Sequence, residues 1–277
     1  MKKVLAISVV ALMVIGSASV VFAQGRSNVT GTLSNNANVR GSSNVASGRG
    51  NEAAMGTIGV ERSTVRGTVT NTANIQGGRN LARGVGNEAN MGSVDIENSN
   101  VGGRVMNRST VRGASNIASG RGNEANMGST NIERSTVRGT VANQSYVRGS
   151  SNVATGRFNE ANMGSVDIER STVVGTVSNR STVVGAQNVA RGTGNEANMG
   201  SVDIEGSRVG GRVINQSTVV GSRNIAQGRG NTANMGSVDI NNANVRGTVM
   251  NRSDVRGSTN MATGTNNEAS MGSVVVK

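Results

Sequence analysis

The chain repeats itself every 36 residues. The phrase NEANMGSVDIE occurs letter for letter at Asn87–Glu97, Asn159–Glu169 and Asn195–Glu205. Near-copies read NEAAMGTIGVE, NEANMGSTNIE, NTANMGSVDIN and NEASMGSVVVK. Units begin at residues 27, 63, 99, 135, 171, 207 and 243, with no insertion or deletion, and the seventh stops one short of full length at Lys277. A string of independent beads tolerates drifting lengths. A fixed period without linkers means that every unit takes the same geometric step, as in a solenoid.

Within the unit, S-x-V-x-G-x-V-x-N-x-S-x-V-x-G and the NVATG and NEANM phrases alternate small or apolar residues with polar ones. That period of two marks strands with one buried face, and the wealth of Gly, Val and Thr disfavours helix. The alternation slips near unit positions 16–17, 23–24, 30–31 and 36, where Gly and Ser cluster. Such slips predict tight corners. The expected fold is all-β: a β-solenoid of seven 36-residue repeats spanning residues 24–277. The likeness of S-x-V-x-G at positions 1–5 to N-x-A-x-G at 18–22 predicts two rungs per repeat. Fourteen rungs would make a rod about 65–70 Å long, although one large rung per unit is also compatible with the pattern.

Position 9 is always Asn (Asn35, Asn71, Asn107, Asn143, Asn179, Asn215 and Asn251), and so is position 18, from Asn44 to Asn260. Position 25 is Asn throughout (Asn51, Asn87, Asn123, Asn159, Asn195, Asn231 and Asn267). Position 29 is always Met (Met55, Met91, Met127, Met163, Met199, Met235 and Met271). Stacked copies of these residues are expected to form structural ladders, each amide bonding its equivalents as in cross-β stacks. Asn, Ala and Met are read as inward and Asp and Glu as outward. The absence of proline agrees, since proline would delete a ladder donor.

Composition excludes an ordinary globular core: the only aromatics are Phe22, Tyr146 and Phe158, and 40 residues are glycine. With no cysteine, disulfides do not hold the fold. Residues 1–23 read as a secretory signal peptide, with basic Lys2 and Lys3, an apolar run from Val4, and Val21-Phe22-Ala23 before the cleavage point. Secretion to the extracellular space or cell surface follows, with the periplasm as the alternative. Cleavage lowers the basic count from 28 to 26 against 16 acids, a net of +10.

The spacing G-x-x-N-x-A-x-M in GRGNEANM (Gly120–Met127) resembles the curlin repeat of bacterial curli fibres. SSNVATGRFNEAN (Ser150–Asn162) is similar to the N-V-A-x-G-x-x-N phrase of Fap-type biofilm amyloid subunits. The resemblance recurs through all seven units and implies a secreted subunit that polymerises as a β-solenoid amyloid in an extracellular matrix.

The residues themselves point the same way. The first unit diverges mildly, at Thr57 and Gly59, and the last ends as the strand-like SVVVK. Both ends read as uncapped, so self-association head to tail into a filament is expected, served by a nucleator or an outer-membrane export protein. The alternative is a monomeric rod of adhesin type whose arginine stripe (Arg40, Arg112, Arg148 and Arg256, with Arg66, Arg138 and Arg246 on a parallel row) binds anionic polysaccharide or DNA. Few aromatics are present to stack bases. An enzyme is not expected: there is no His or Cys, and Asp167 and Glu169, the best acid pair, read as solvated. No cofactor or small-molecule substrate is implied. Calcium on the rows Asp95, Asp167, Asp203 and Asp239 and Glu61, Glu97, Glu133, Glu169 and Glu205 is disfavoured. Two rungs per unit would hold equivalent carboxylates near 10 Å apart.

Overall fold

The computed structural model describes residues 20–23, 25, 27–50, 52–272 and 274–276. Most of the expected leader, residues 1–19, and Asn51 lie outside the described residues. Among the described residues every regular element is a β-strand, and no helix is long and apolar enough to cross a membrane.

Each unit makes one turn of a parallel β-solenoid. A long strand comes first, such as Thr172–Val184. A shorter one follows after a glycine corner (Gln187–Thr193), and a closing strand ends the unit (Val202–Glu205). Each strand pairs with its own equivalent one unit away: Thr172 lies against Arg208, Gln187 against Arg223, Val202 against Val238. Three parallel sheets run the length of the stack, and the third has an extra strand, Val20–Ala23, ahead of Thr57–Glu61. The expectation of two rungs per repeat is therefore corrected to one. The stack of seven coils is about 34 Å long, half the length anticipated. Positions 1–5 and 18–22 do look alike, but they belong to different sheets.

The interior is thin. Val and Ile of the long and closing strands form one cluster, for example Val173, Val177 and Ile204, all 0% exposed. The Met row packs against position 13, as Met163 and Met199 do against Val183. A third cluster consists of alanine alone, Ala154 and Ala190 facing Ala161 and Ala197. Two alanine rows let the coil pinch to a narrow waist that larger side chains would prop open.

NEANM is not a strand. Its glutamates sit at positive φ (Glu88 +116°, Glu124 +122°, Glu160 +106°), so the segment cannot continue a ladder. Its carbonyls need other donors, and the invariant asparagines supply them. Asn116 Nδ2 crosses the interior to donate to Ala89 O at 2.5 Å and to Asn126 O. Asn152 does the same for Asn162 O. From the long strand, Asn143 Nδ2 donates to Ser165 O at 3.2 Å, at the start of the closing strand. An asparagine thus pins an irregular segment of its own coil while bonding its copies above and below.

Replacing Asn152 by alanine is expected to leave Asn162 O, Asn188 Oδ1 and Asn116 Nδ2 without this partner. Each orphaned buried group costs roughly 1–3 kcal/mol. Urea denaturation should show the midpoint falling accordingly. A loss under about 0.5 kcal/mol, the range of a neutral surface change, would show that the crossing bond is dispensable.

Candidate functional site

Three side-chain systems run along the stack: amide rows inside, an interrupted arginine row outside, and a carboxylate groove between the NEANM segment and the closing strand.

The position-9 row is continuous. Asn35 Nδ2 donates to Asn71 Oδ1 at 3.0 Å, and the same bond at 3.0–3.1 Å links every coil to Asn251. The position-18 row runs the same way from Asn116 through Asn152, Asn188 and Asn224 to Asn260. The position-25 row runs in the opposite sense: Asn123 donates back to Asn87, Asn159 to Asn123, and Asn267 to Asn231, at 2.6–2.7 Å. All three rows give the stack a chemical polarity as well as stability. Met55 to Met235 line the interior at 0% exposure, and Met271 in the last coil is 46% exposed.

The arginines of position 14 are exposed but do not form one stripe. Register places Gln76 between Arg40 and Arg112, and Val184 and Val220 between Arg148 and Arg256. Only Arg112 and Arg148 adjoin. Arg112 lies over the Tyr146 ring at 5.4 Å, and Arg256 is held by Asp254.

The acids are where the sequence reading needs most correction. Asp167 and Asp239 are 3% and 4% exposed, not solvated. They stand on the outer face of the closing strand, but the NEANM segment folds over that face and lays its own glutamates on it. Asn198 Nδ2 donates to Asp167 at 3.3 Å, and Asn234 Nδ2 to Asp203 at 2.6 Å. Where the aspartate position holds Asn131, its Nδ2 donates to Glu124 at 2.7 Å. The position-26 glutamates Glu88, Glu124, Glu160 and Glu196 are the groove residues the sequence reading passed over. The recurrent seven-residue spacing from Glu to Asp was the available signal.

Equivalent carboxylates lie one strand spacing apart, so the 10 Å separation expected above does not hold. Glu88, Asp95 and Glu124 each bring a carboxylate oxygen within 4.8 Å of the others. That spacing suits a shared proton or a hard divalent cation. Burial, then the neighbouring Glu196, pushes the Glu160 carboxyl up to about 8. Burial, then Asp239, pushes Asp203 up to about 7. Asp95, Glu124, Asp167 and Glu196 are likewise raised, first by burial and then by Glu88, Glu160, Glu160 and Asp203 respectively. An outer row, Glu97, Glu133 and Glu169, meets Arg134 and Arg170 in ion pairs of 2.9–3.5 Å. Those arginines attend the rim.

Comparison with family models, with curated proteins and with solved structures gives no match.

Proposed function

We propose that this chain is a secreted structural protein, a fibre-forming, amyloid-like subunit of an extracellular matrix or surface filament, which grows by end-to-end stacking of coils. One observation carries the reading: the last coil leaves its cross-section open. Positions buried to 0% in inner coils reappear there as Met271 at 46%, Val274 at 48% and Val276 at 69% exposure. The inward Val245, Val249 and Val255 are also only partly covered. An open apolar section rimmed by parallel strand edges is completed by another coil of the same design, and the chain itself is the supply of such coils. Here the structure refines the expectation that both ends are open, because in the first coil Val29, Leu33 and Val39 are at most 5% exposed. The polarity of the amide rows supports head-to-tail over head-to-head contact, since only the former continues each row in its own sense. The resemblance to curlin and Fap-type repeats supports the same role, with an export or nucleating partner delivering the subunit. The broken arginine row gives a binding rod no continuous basic face.

Electron microscopy and fibre diffraction test this. The chain without its leader is expected to form thioflavin-positive filaments with a reflection near 4.8 Å along the axis. A monodisperse monomer after prolonged incubation at high concentration overturns the reading.

A further inference from the structure

We propose that the strand Val20–Ala23 occupies, in the full chain, the edge on which the C-terminal strand Val274–Val276 of a second copy docks, so that leader removal opens the growth joint. The inference rests on the fibre reading above and on cleavage after Ala23.

The two strands are competitors by register. Val20–Ala23 pairs in parallel with the first closing strand, Val21 against Ile58, Phe22 against Gly59, Ala23 against Val60. Val274–Val276 sits at the far end of the same sheet, Val274 against Val238 and Val276 against Ile240. Stack one molecule on another in the internal register, and Val274, Val275 and Val276 fall on Ile58, Gly59 and Val60. These are the places that Val21, Phe22 and Ala23 hold.

A side-chain bond marks the substitution. In successive coils the first-position serine donates to the closing-strand carbonyl of the coil two before its own: Ser99 Oγ to Val60 O, Ser135 to Ile96, Ser171 to Ile132, at 3.1–3.2 Å. Ser63 Oγ makes that bond at 3.0 Å to Ala23 O. The leader strand therefore takes, beside Thr57–Glu61, the place that a closing strand takes in the later coils. In a filament, the Val276 carbonyl of the preceding subunit fills that role.

The composition of the two faces suits the joint. Inner coils stack aspartate on aspartate at unit position 33, as Asp167 does on Asp203. The first coil has Gly59 there and the last has Val275, so the joint lacks that repulsion. At position 35 inner coils stack glutamate on glutamate, whereas the terminal units carry Glu61 and Lys277, opposite charges. Glu52 with Glu268 at position 26 and Arg40 with Arg256 at position 14 repeat interior like-charge pairs. At positions 33 and 35 the first and last units thus differ from the inner coils in ways that favour their contact with each other.

The test compares four proteins by thioflavin fluorescence, light scattering and electron microscopy, with circular dichroism reporting the fold. They are the full chain, the chain cleaved after Ala23 by signal peptidase, the full chain carrying Val21→Pro, and the cleaved chain carrying Val275→Asp. Losing several strand hydrogen bonds, each worth roughly 1 kcal/mol net, should change elongation by at least about tenfold. The cleaved chain should elongate faster than the full chain by that factor, Val21→Pro should approach the cleaved rate, and Val275→Asp should abolish the gain. Equal rates for full and cleaved chains, or undiminished growth of Val275→Asp, overturn the joint while leaving the fibre reading intact. Loss of β-structure on cleavage also overturns it, because the strand would then belong to the fold. Failure of every form to polymerise overturns the fibre reading itself.

Discussion

Gly175→Ala is expected to break the stack in the middle. Gly175 has φ of +143°, and a Cβ built there would stand 1.8 Å from the carbonyl oxygen of Gly139 in the coil before. No side-chain movement relieves this, because the clash is with the Gly139 backbone. The same contact recurs at 1.8–1.9 Å along the row from Gly67 to Gly247. Coils must therefore separate locally, at the cost of ladder bonds and of the dry contact among Val173, Val177 and Val209. A loss above about 4 kcal/mol places the variant in the class of exceptional substitutions. In a linear array a broken middle interface uncouples the two halves, so unfolding should become biphasic. Gly185→Ala is the control: its φ is +59° with nothing within 4 Å of the added carbon. Only left-handed strain of about 1–2 kcal/mol applies there. Thermal and urea unfolding that gave both variants the same modest loss would refute the close-approach account.

That glycine row shows what the sequence disclosed and what it hid. Its invariance was visible, yet in V-x-G-x-V it passed for an inward member of the alternation. The requirement is a backbone approach between coils, and no single strand spells that out. The 36-residue step and the strands were legible because stacking imposes one residue type per row, as at Asn143 and Met163. The number of rungs per step was not. The two halves of a unit share a pattern but not a partner. The ladder register decides it: Asn152 pairs with Asn188, 36 residues on, and not with a residue 18 away. The outward reading of Asp167 failed for a related reason. Alternation with Ile168 does send it to the far face of its strand, but a second segment of the same coil covers that face. Alternation reports sides of a strand; which side is wet depends on what packs there. The gaps in the arginine row could be read directly, from Gln76, Val184 and Val220.

The buried carboxylates should make the fold more stable in acid than at neutral pH and above. Glu160 is raised from 4.5 to about 8 and Asp203 from 3.8 to about 7, each by burial first and like charge second. Between the unfolded and folded values the folded state holds more protons than the unfolded chain. Stability then falls as pH rises. It is complete below about pH 4 and declines through the window up to about pH 8, where these groups are forced to ionise beside one another. Glu169 and Glu205 face the groove from its rim with the same sign, and Arg170 pairs with Glu169 at 3.5 Å. The rim arginine offsets part of the charge, but the hydrogen bonds reaching the inner row, from Asn162 to Glu160 and from Asn198 to Asp167, come from neutral amides. With several groups acting together, the thermal midpoint should drop by roughly 10 °C or more between pH 4.5 and pH 8. Glu160→Gln combined with Asp203→Asn keeps the shape and removes two of the charges. It should raise the midpoint at pH 8, leave it nearly unchanged at pH 4.5, and flatten the slope between them. A midpoint that climbs from pH 5 to pH 8, or a double variant with the parent's slope, would mean that the groove ionises freely, and that its acids are far better solvated than their packing between NEANM and the closing strand permits.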